Sequence, residues 1–413
     1  MKIVVVGAGY AGVKAARLLA RRVQVAGAAG SVEVSLVNES PFHVIKTELH
    51  TIAGGSADDP GDVQVPLAEL FRGLPVNLVF RRLETVDPER SRLVLEGGEV
   101  VRYDRLVLAL GSSPEYFGIP GLCEHSLALG DVESALAIRR RVDDVVRRVA
   151  SRGGPEPVQI VIGGGGLTGV ELAGELSWSL RRRYARSGAK RLVKVILIEG
   201  TPSLMPGLDP KLGEWAKLRL EQAGVQVLTG RRITHVSGDE IELQGDGAGE
   251  RIAYGVFVWS GGGRGNRLLE SHFETDRKGR VLVDAGFRVQ RHPNIQVLGD
   301  AACIAGKDGR PAAPTAQAAL QQATAAARLL WNEISGSAAL TGTNYAGTTK
   351  GVLASVGPDY GVGLLGSVPV RGRWVKWLKD VNNVRYLASI GASFARTRQL
   401  AAPDRPAQAH FES

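Results

Sequence analysis

The chain has 413 residues, 44% hydrophobic and 23% charged, with 53 glycines and a net charge of +9. At roughly 100–200 residues per domain this predicts two to four globular domains and excludes a disordered chain. Two cysteines, Cys123 and Cys303, exclude a disulfide framework and a cysteine-based zinc site, and no metal is expected.

No apolar run reaches the roughly 18 residues of a membrane span. The run after Lys2 is too short for a signal peptide. A cytoplasmic protein is expected. The basic balance alone leaves nucleic acid, an anionic membrane and acidic ligands open.

Residues 2–6 read as a buried parallel strand, short, β-branched and bounded by glycine. Gly7-Ala8-Gly9-Tyr10-Ala11-Gly12 follows, then a helical stretch to about residue 22. Residues 32–37 are a second strand, with Glu39 just beyond it. Residues 106–110 form a strand that ends in Gly111-Ser112-Ser113-Pro114, residues 133–151 a helix, and residues 152–157 a loop.

The first pattern then recurs. Residues 158–162 are a strand, Gly163 to Gly169 a glycine-rich turn, and residues 171 to about 186 a helix. Residues 193–198 are a strand, closed by Glu199. Two copies about 155 positions apart are a domain-sized duplication, not a solenoid. Further on, residues 255–260 run into Gly261-Gly262-Gly263, and residues 295–298 end in Gly299-Asp300. Residues 314–333 are alanine-rich and helical, residues 335–347 a polar loop. A third region follows, and a disordered tail is expected from about Ala401.

The three glycines of G-x-G-x-x-G serve different ends. They allow a tight turn, close approach of the backbone to a pyrophosphate, and close packing of helix on strand. The helix N-terminus offers free N–H groups to the phosphates, and an acid after the next strand accepts from ribose hydroxyls. Gly7, Gly9 and Gly12 with Glu39 fit once; Gly164, Gly166 and Gly169 with Glu199 fit again. Two sites predict two dinucleotides, FAD held permanently and NAD(P)H visiting. A carboxylate at Glu199 favours a ribose 2′-OH over a 2′-phosphate, hence NADH, unless Arg231 and Arg232 lie close.

These residues resemble the type II NADH dehydrogenases, single-subunit NADH:quinone oxidoreductases among the two-dinucleotide-fold flavoproteins. The resemblance runs from residue 1 to about 391. It is carried by Ser40-Pro41-Phe42-His43 through Glu48-Leu49-His50, and by residues 166–176, Gly-Leu-Thr-Gly-Val-Glu-Leu-Ala-Gly-Glu-Leu. Residues 297–301 (Val-Leu-Gly-Asp-Ala), residues 316–321 (Ala-Gln-Ala-Ala-Leu-Gln) and Thr349-Lys350-Gly351 add to it.

The resemblance implies an α/β fold of two Rossmann-like dinucleotide-binding domains, the FAD domain discontinuous and the NADH domain inserted, plus a small C-terminal α+β region. The implied limits are 1–113 with 270–334 for FAD, 114–269 for NADH, 335–400 for a membrane or interface region, and 401–413 for the tail. It implies that Gly7, Gly9, Gly12, Glu39, Gly111, Asp300 and Ala301 hold FAD, and that Gly164, Gly166, Gly169 and Glu199 hold NADH. Glu171 would lie near the nicotinamide and flavin, Gln317 and Gln321 at a quinone, and Lys350 near the flavin in proton delivery. A structural reading stands beside several of these: Asp300 as a helix cap, Glu171 as a dipole partner, the glutamines as a solvated pair, and His43 and His50 as structural histidines.

Gly163 and Gly261-Gly262-Gly263 depart from the family's usual residues, and the C-terminus is shorter and more polar. The stretch 42–55 lacks the cysteine pair of disulfide reductases. Hydride is therefore expected to pass from NADH to flavin and on to an acceptor without a cysteine relay, in a ping-pong cycle. The other readings are a soluble reductase for another acceptor and a non-catalytic NADH-binding flavoprotein.

Charge is uneven. Residues 181–194 hold seven Lys/Arg and no acid, and residues 366–400 seven against Asp380. Within residues 374–388, Trp374, Trp377, Leu378, Val381, Val384 and Leu387 recur at helical spacing, with Lys376, Lys379, Asn383 and Arg385 mostly elsewhere. Aromatics and lysines on one amphipathic helix suit a membrane surface. The expected partners are thus a quinone, menaquinone or ubiquinone, a peripheral membrane contact through 366–400, no nucleic acid, and a second copy of the chain as a candidate homodimer.

Overall fold

The computed structural model describes residues 1–152, 157–183, 193–245, 249–305, 311–336, 345, 347 and 350–393. The tail from residue 394, most of the 181–194 basic stretch and Thr349 lie outside the described residues.

Ile3, Val4, Val5 and Val6 are all buried, the pattern of a central parallel strand covered on both faces. Strand Lys2–Val6 pairs in parallel with Glu33–Asn38 on one side and Arg105–Leu108 on the other. Asn77–Phe80 extends one edge and His292–Val297 the other, both parallel. The last strand arrives from beyond the second glycine unit, so the first unit is discontinuous in sequence. Helix Ala316–Ile334 packs on helix Tyr10–Val25. Their shared core is rich in alanine (Ala11, Ala15, Ala16, Ala319, Ala323, Ala326), and small side chains let the two backbones approach closely.

The second sheet orders Leu127–Ala128, Val256–Trp259, Val158–Gly163, Val193–Glu199 and Val225–Thr229, all parallel. Two crossing strands, Ser112–Pro114 and Gly263–Gly265, pair antiparallel where the chain enters and leaves this inserted unit. The third region is an antiparallel sheet of Gly351–Ser355, Gly361–Leu365 and Val368–Gly372 packed by helix Arg373–Ser389. The architecture is α/β, with two Rossmann-like units and a small α+β region, as the resemblance implied.

One joint positions the site. The short helix Leu49–Gly54 belongs to the first unit in sequence, yet Leu49, Ile52 and Ala53 sit in the core of the second. It packs on helices Val132–Arg152 and Leu167–Arg183.

Helix Arg373–Ser389 corrects the amphipathic reading. Lys379 was expected on the polar, outward side, and it is buried, 7% exposed. Trp374 and Trp377 are 49% and 64% exposed. The physical reason is a pair of buried carboxyl groups, described below, that only a buried cation can offset.

Candidate active site between the two glycine units

The two glycine loops share one geometry. Gly7 has φ +98° and Gly164 φ +104°, the left-handed backbone that turns strand into helix. Each donates its N–H to the end of the next strand, Gly7 to Val37 O and Gly164 to Ile198 O, both at 2.8 Å. A Cβ on Gly12 would lie 1.8 Å from Gly7 O, and one on Gly169 the same distance from Gly164 O. Nothing lies within 4 Å of a Cβ placed on Gly9 or Gly166. First glycine turning, second open, third in contact is the cradle a pyrophosphate needs, present twice.

The acids differ between the copies. Glu199 Oε2 accepts from Gly165 N–H and its Oε1 from Thr201 N–H, both at 2.7 Å. In the first unit the matching position is Asn38, whose Oδ1 accepts from Ala8 N–H at 2.8 Å. Glu39 lies one residue further on and is exposed. Sequence reasoning passed over Asn38 because it looked for an acid; the register with Ile198 and Val37 identifies the position. Arg231, a candidate 2′-phosphate partner, faces Glu250 at 3.9 Å.

The departures at 163 and 261 have one cause. A Cβ on Gly163 would lie 2.8 Å from Trp259 Cε3, and one on Gly261 2.2 Å from Trp259 Cζ2. The indole lies between the two glycines, and its Nε1 donates to Glu115 O at 2.7 Å.

Asp300 lies beside Ser112, whose hydroxyl donates to Oδ2 at 3.4 Å; Ser112 follows Gly111 in the crossing segment. Burial raises the Asp300 carboxyl above the usual range, with Lys46 and Arg280 pulling the other way. Ala301 is fully buried. Gly299 N–H donates to Gln322 Oε1 at 2.7 Å. Gln322, 2% exposed, is the glutamine that touches this loop. It shares a face with Ala319, Ala323 and Ala326, a periodicity legible in the sequence. Gln317 Oε1 accepts from the backbone N–H of Lys350 at 2.8 Å, so those two are brought together. Gln321 is half-buried on the same helix.

Glu171 is in different company. Lys379 Nζ lies 2.7 Å from Glu171 Oε1 and 3.0 Å from Glu48 Oε1. Ser355 donates its backbone N–H to Glu171 Oε1 at 3.0 Å, and its hydroxyl lies 3.2 Å from the same oxygen. That hydroxyl is also 3.1 Å from His50 Nε2, while His50 Nδ1 is 3.8 Å from Glu171 Oε2. Asn383 donates to Glu48 Oε1 at 2.7 Å.

The cluster tunes its own members. Burial opposes the Lys379 charge, but Glu171 and Glu48 outweigh it and raise the ammonium above its ordinary range. Burial would lift Glu48, yet Lys379, with Lys376 further off, brings it down to about 2. Burial, with Lys379 beside it, lowers His50 and keeps the imidazole neutral at pH 7. A fixed cation, a carboxyl, a hydroxyl and a neutral imidazole in contact can hold and pass one proton. Lys350 is not part of this group. It sits at the far end of strand Gly351–Ser355, about 16 Å from Ser355 at 3.3 Å per residue.

A family model described as pyridine nucleotide-disulphide oxidoreductase matches residues 1–323. The chain belongs to that family. Over 394 residues it is 28% identical to the "Type II NADH:quinone oxidoreductase" of Staphylococcus aureus, covering 94% of this chain and 96% of the relative. The fold matches that of NDH2 from Plasmodium falciparum, solved in complex with NADH, at a TM-score of 0.85. Identity there is 18%, with 97% of each chain covered. It also matches the sulfide:quinone oxidoreductase of Aquifex aeolicus at a TM-score of 0.74 and 18% identity, covering 97% of this chain and 92% of that one.

In this pyridine nucleotide-disulphide oxidoreductase the disulfide of the family name has no counterpart among the described residues. Cys123 and Cys303 are both free. The first loop is instead braced by a histidine. His43 is fully buried, and burial lowers its imidazole to about 4. Nδ1 lies 2.8 Å from Ala8 O, which can only accept, so Nδ1 carries the proton. Nε2 then accepts from the Tyr386 hydroxyl at 2.8 Å. Tyr386 belongs to helix Arg373–Ser389, so the C-terminal region is tied to the first glycine loop. Tyr386→Phe orphans a buried acceptor, at about 1–3 kcal/mol. FAD affinity is expected to fall roughly tenfold per 1.4 kcal/mol carried to the loop. Released flavin fluorescence on dilution reads it.

Proposed function

We propose that the chain is a type II NADH:quinone oxidoreductase that pumps no protons. Two cradles of the same geometry on either side of one buried proton-holding cluster carry this reading. The name of the Staphylococcus aureus relative supports it. Bound FAD supplies a two-electron carrier between a hydride donor and the acceptor. Gly7, Gly9, Gly12 and Asn38 hold the FAD pyrophosphate and adenosine end, with Glu39, Gly111, Asp300 and Ala301 around it. Gly164, Gly166, Gly169 and Glu199 hold NADH. Glu199 is oriented by two backbone donors, so its remaining lone pairs face a ribose 2′-OH and repel a 2′-phosphate. Lys379 and Glu171 hold the proton that quinone reduction consumes, Ser355 and His50 orient them, and Gln317, Gln321 and Lys350 line the acceptor side. The limits 1–113 with 270–334, 114–269 and 335–400 describe the FAD, NADH and interface regions.

Steady-state assays of the FAD-loaded protein test this. NADH with a soluble menaquinone analogue should give parallel double-reciprocal lines, and NADPH a lower kcat/KM than NADH. Turnover with a small redox protein equal to that with quinone would overturn the acceptor assignment.

The quinone is membrane-borne in this reading, and the third region carries the contact. No described helix is long and apolar enough to cross a membrane. Leu365, Val368, Trp374 and Trp377 are exposed together at the hairpin and the start of the last helix. Exposed aromatics of this kind suit a bilayer interface. The lysines contribute less than their count suggests. Lys379 is buried, and Lys376 pairs with Asp380 at 2.6 Å. Flotation with anionic vesicles should be lost when Trp374 and Trp377 become Ser, at unchanged flavin content. Undiminished flotation contradicts the contact.

A further inference from the structure

Arg17 is an anomaly in the core of the first unit. It lies on helix Tyr10–Val25 and is 6% exposed, beside buried Ala16, Leu19 and Ala20. Among the described residues it has no hydrogen bond and no ion pair. Its guanidinium lies over the Phe71 ring, 5.9 Å from the centroid, and against Gly391. Gly391 has φ +83° and follows the end of helix Arg373–Ser389; a Cβ there would collide with Nη2. Segments from opposite ends of the sequence thus make room for one charged group.

Arg17 has two companions. Tyr10, Lys14, Arg17 and Arg21 follow one another at steps of four, three and four, which puts them on one helix face. Tyr10 opens that face by packing on Tyr386, with ring centroids 4.9 Å apart. Past Gly391 the C-terminal helix no longer covers it. Burial lowers the Lys14 ammonium, with Arg21 and Arg17 adding to the effect. Burial lowers Arg17 to about 10, with Arg21 adding. No carboxylate acts the other way. Glu69, near Phe71 in sequence, instead accepts from Ser393 N–H at 2.7 Å. A desolvated cation among like charges is unfavourable until an anion joins it. The dipole at the end of helix Arg373–Ser389 favours a cation, but among the described residues no carbonyl there accepts from Arg17.

The position of the three cations indicates which anion. On helix Arg373–Ser389, Trp374, Trp377, Arg385 and Ala388 are exposed, with Val381 half-buried between them. Steps of three and four make these one face, which runs the helix length of about 25 Å from the exposed hairpin to Gly391. We propose that Lys14, Arg17 and Arg21 form a binding site for the phosphate of an anionic phospholipid headgroup at the end of this face. The site rests on the membrane contact proposed above and extends it into the first unit, outside residues 335–400. An arginine fork can take two phosphate oxygens, and the flanking cations supply further positive charge. The aromatic end of the helix enters the interface, and the cationic end selects the lipid.

Flotation of the FAD-loaded full chain on phosphatidylcholine vesicles, with and without phosphatidylglycerol, tests the site. The wild type should bind the mixed vesicles more tightly. Arg17→Gln should lower that preference about tenfold and Lys14→Gln about fivefold, both with wild-type binding to phosphatidylcholine alone. Arg140→Gln, exposed on helix Val132–Arg152, should change neither. Replacing Trp374 and Trp377 by Ser should weaken binding to both vesicle types, so failure of the contact and failure of the site look different. A soluble short-chain phosphatidylglycerol should raise the thermal midpoint of the wild type and not that of Arg17→Gln. Without lipid, Arg17→Gln should unfold no earlier than the wild type, because an unpaired buried charge has been removed.

An unchanged preference for mixed vesicles in both variants overturns the site. Earlier unfolding of Arg17→Gln with equal loss on both vesicle types overturns it too, and makes Arg17 a bracket for the C-terminal helix. Stabilisation by inorganic phosphate equal to that by the short-chain lipid overturns the lipid assignment. A wild type that floats with neither vesicle overturns the membrane contact, and the short-chain lipid still reports the site.

Discussion

Lys379→Met is expected to destabilise the protein by about 3–5 kcal/mol and to slow quinone reduction by about 10²–10⁴-fold. Methionine fills much of the lysine's space, so the effect is not a cavity. The variant leaves Glu48 and Glu171 facing each other in a buried site with no cation between them. Removing one partner of a buried pair costs more than the pair itself contributes, because the remaining charges stay desolvated. The pH dependence has a definite sign. Glu48 is depressed to about 2, so its contribution is present above the ordinary carboxylate range and lost as pH falls toward about 2. Lys379 is raised, so its contribution is present below its ordinary range and lost only in strong alkali. The gap between wild type and variant is therefore widest near neutral pH and narrows in acid, where the orphaned Glu48 carboxyl takes up a proton. Urea unfolding at pH 7 and at pH 4 measures both parts. A gap that is the same at both values contradicts the pairing.

Gly169→Ala is the second large effect. The new Cβ would meet Gly164 O at 1.8 Å and Ser260 Oγ at 2.7 Å. A backbone carbonyl cannot yield as a flexible side chain does, so helix Leu167–Arg183 must move off its strand. That shifts the N–H groups that face the pyrophosphate, and it also moves Glu171. NADH reduction of bound flavin should drop at least a hundredfold, on the order of what a 1 Å misplacement costs. FAD should remain bound, because Gly12 and its loop are untouched. Gly166→Ala separates packing from binding. Nothing in the protein lies near the added methyl group, so unfolding should barely change while NADH affinity falls. Equal losses of stability in the two variants would contradict the division of labour among the glycines.

The contrast between these predictions shows what a sequence can reveal. The glycine units were legible because each depends on backbone geometry within a few consecutive residues. So were the parallel strands, from short β-branched runs. The buried cluster was not legible. Glu48, Glu171, Ser355 and Lys379 come from four distant segments; Glu48 lay in a stretch that carried the resemblance, and only Glu171 was given a role by it. Lys379 was concealed by its helix, whose pattern puts lysines opposite the aromatics. That pattern means water on one side only if no buried acid waits there. Asn38 was missed by a rule that expects an acid, and Glu39 next to it satisfied the rule one residue out of register. Gln322 was within reach, since its helical face is otherwise alanine. The glycines at 163 and 261 looked like unrelated departures, and Trp259 makes them one accommodation. The +9 of the chain also changes meaning: Lys379 and Lys376 face internal acids, and Arg183 faces Asp143.

Anaerobic single-turnover absorbance of the FAD-loaded protein tests the central claim most directly. One equivalent of NADH should bleach the flavin band, and a menaquinone analogue added next should restore it far faster than oxygen does. Failure to bleach, or recovery with the quinone no faster than with oxygen, contradicts the account.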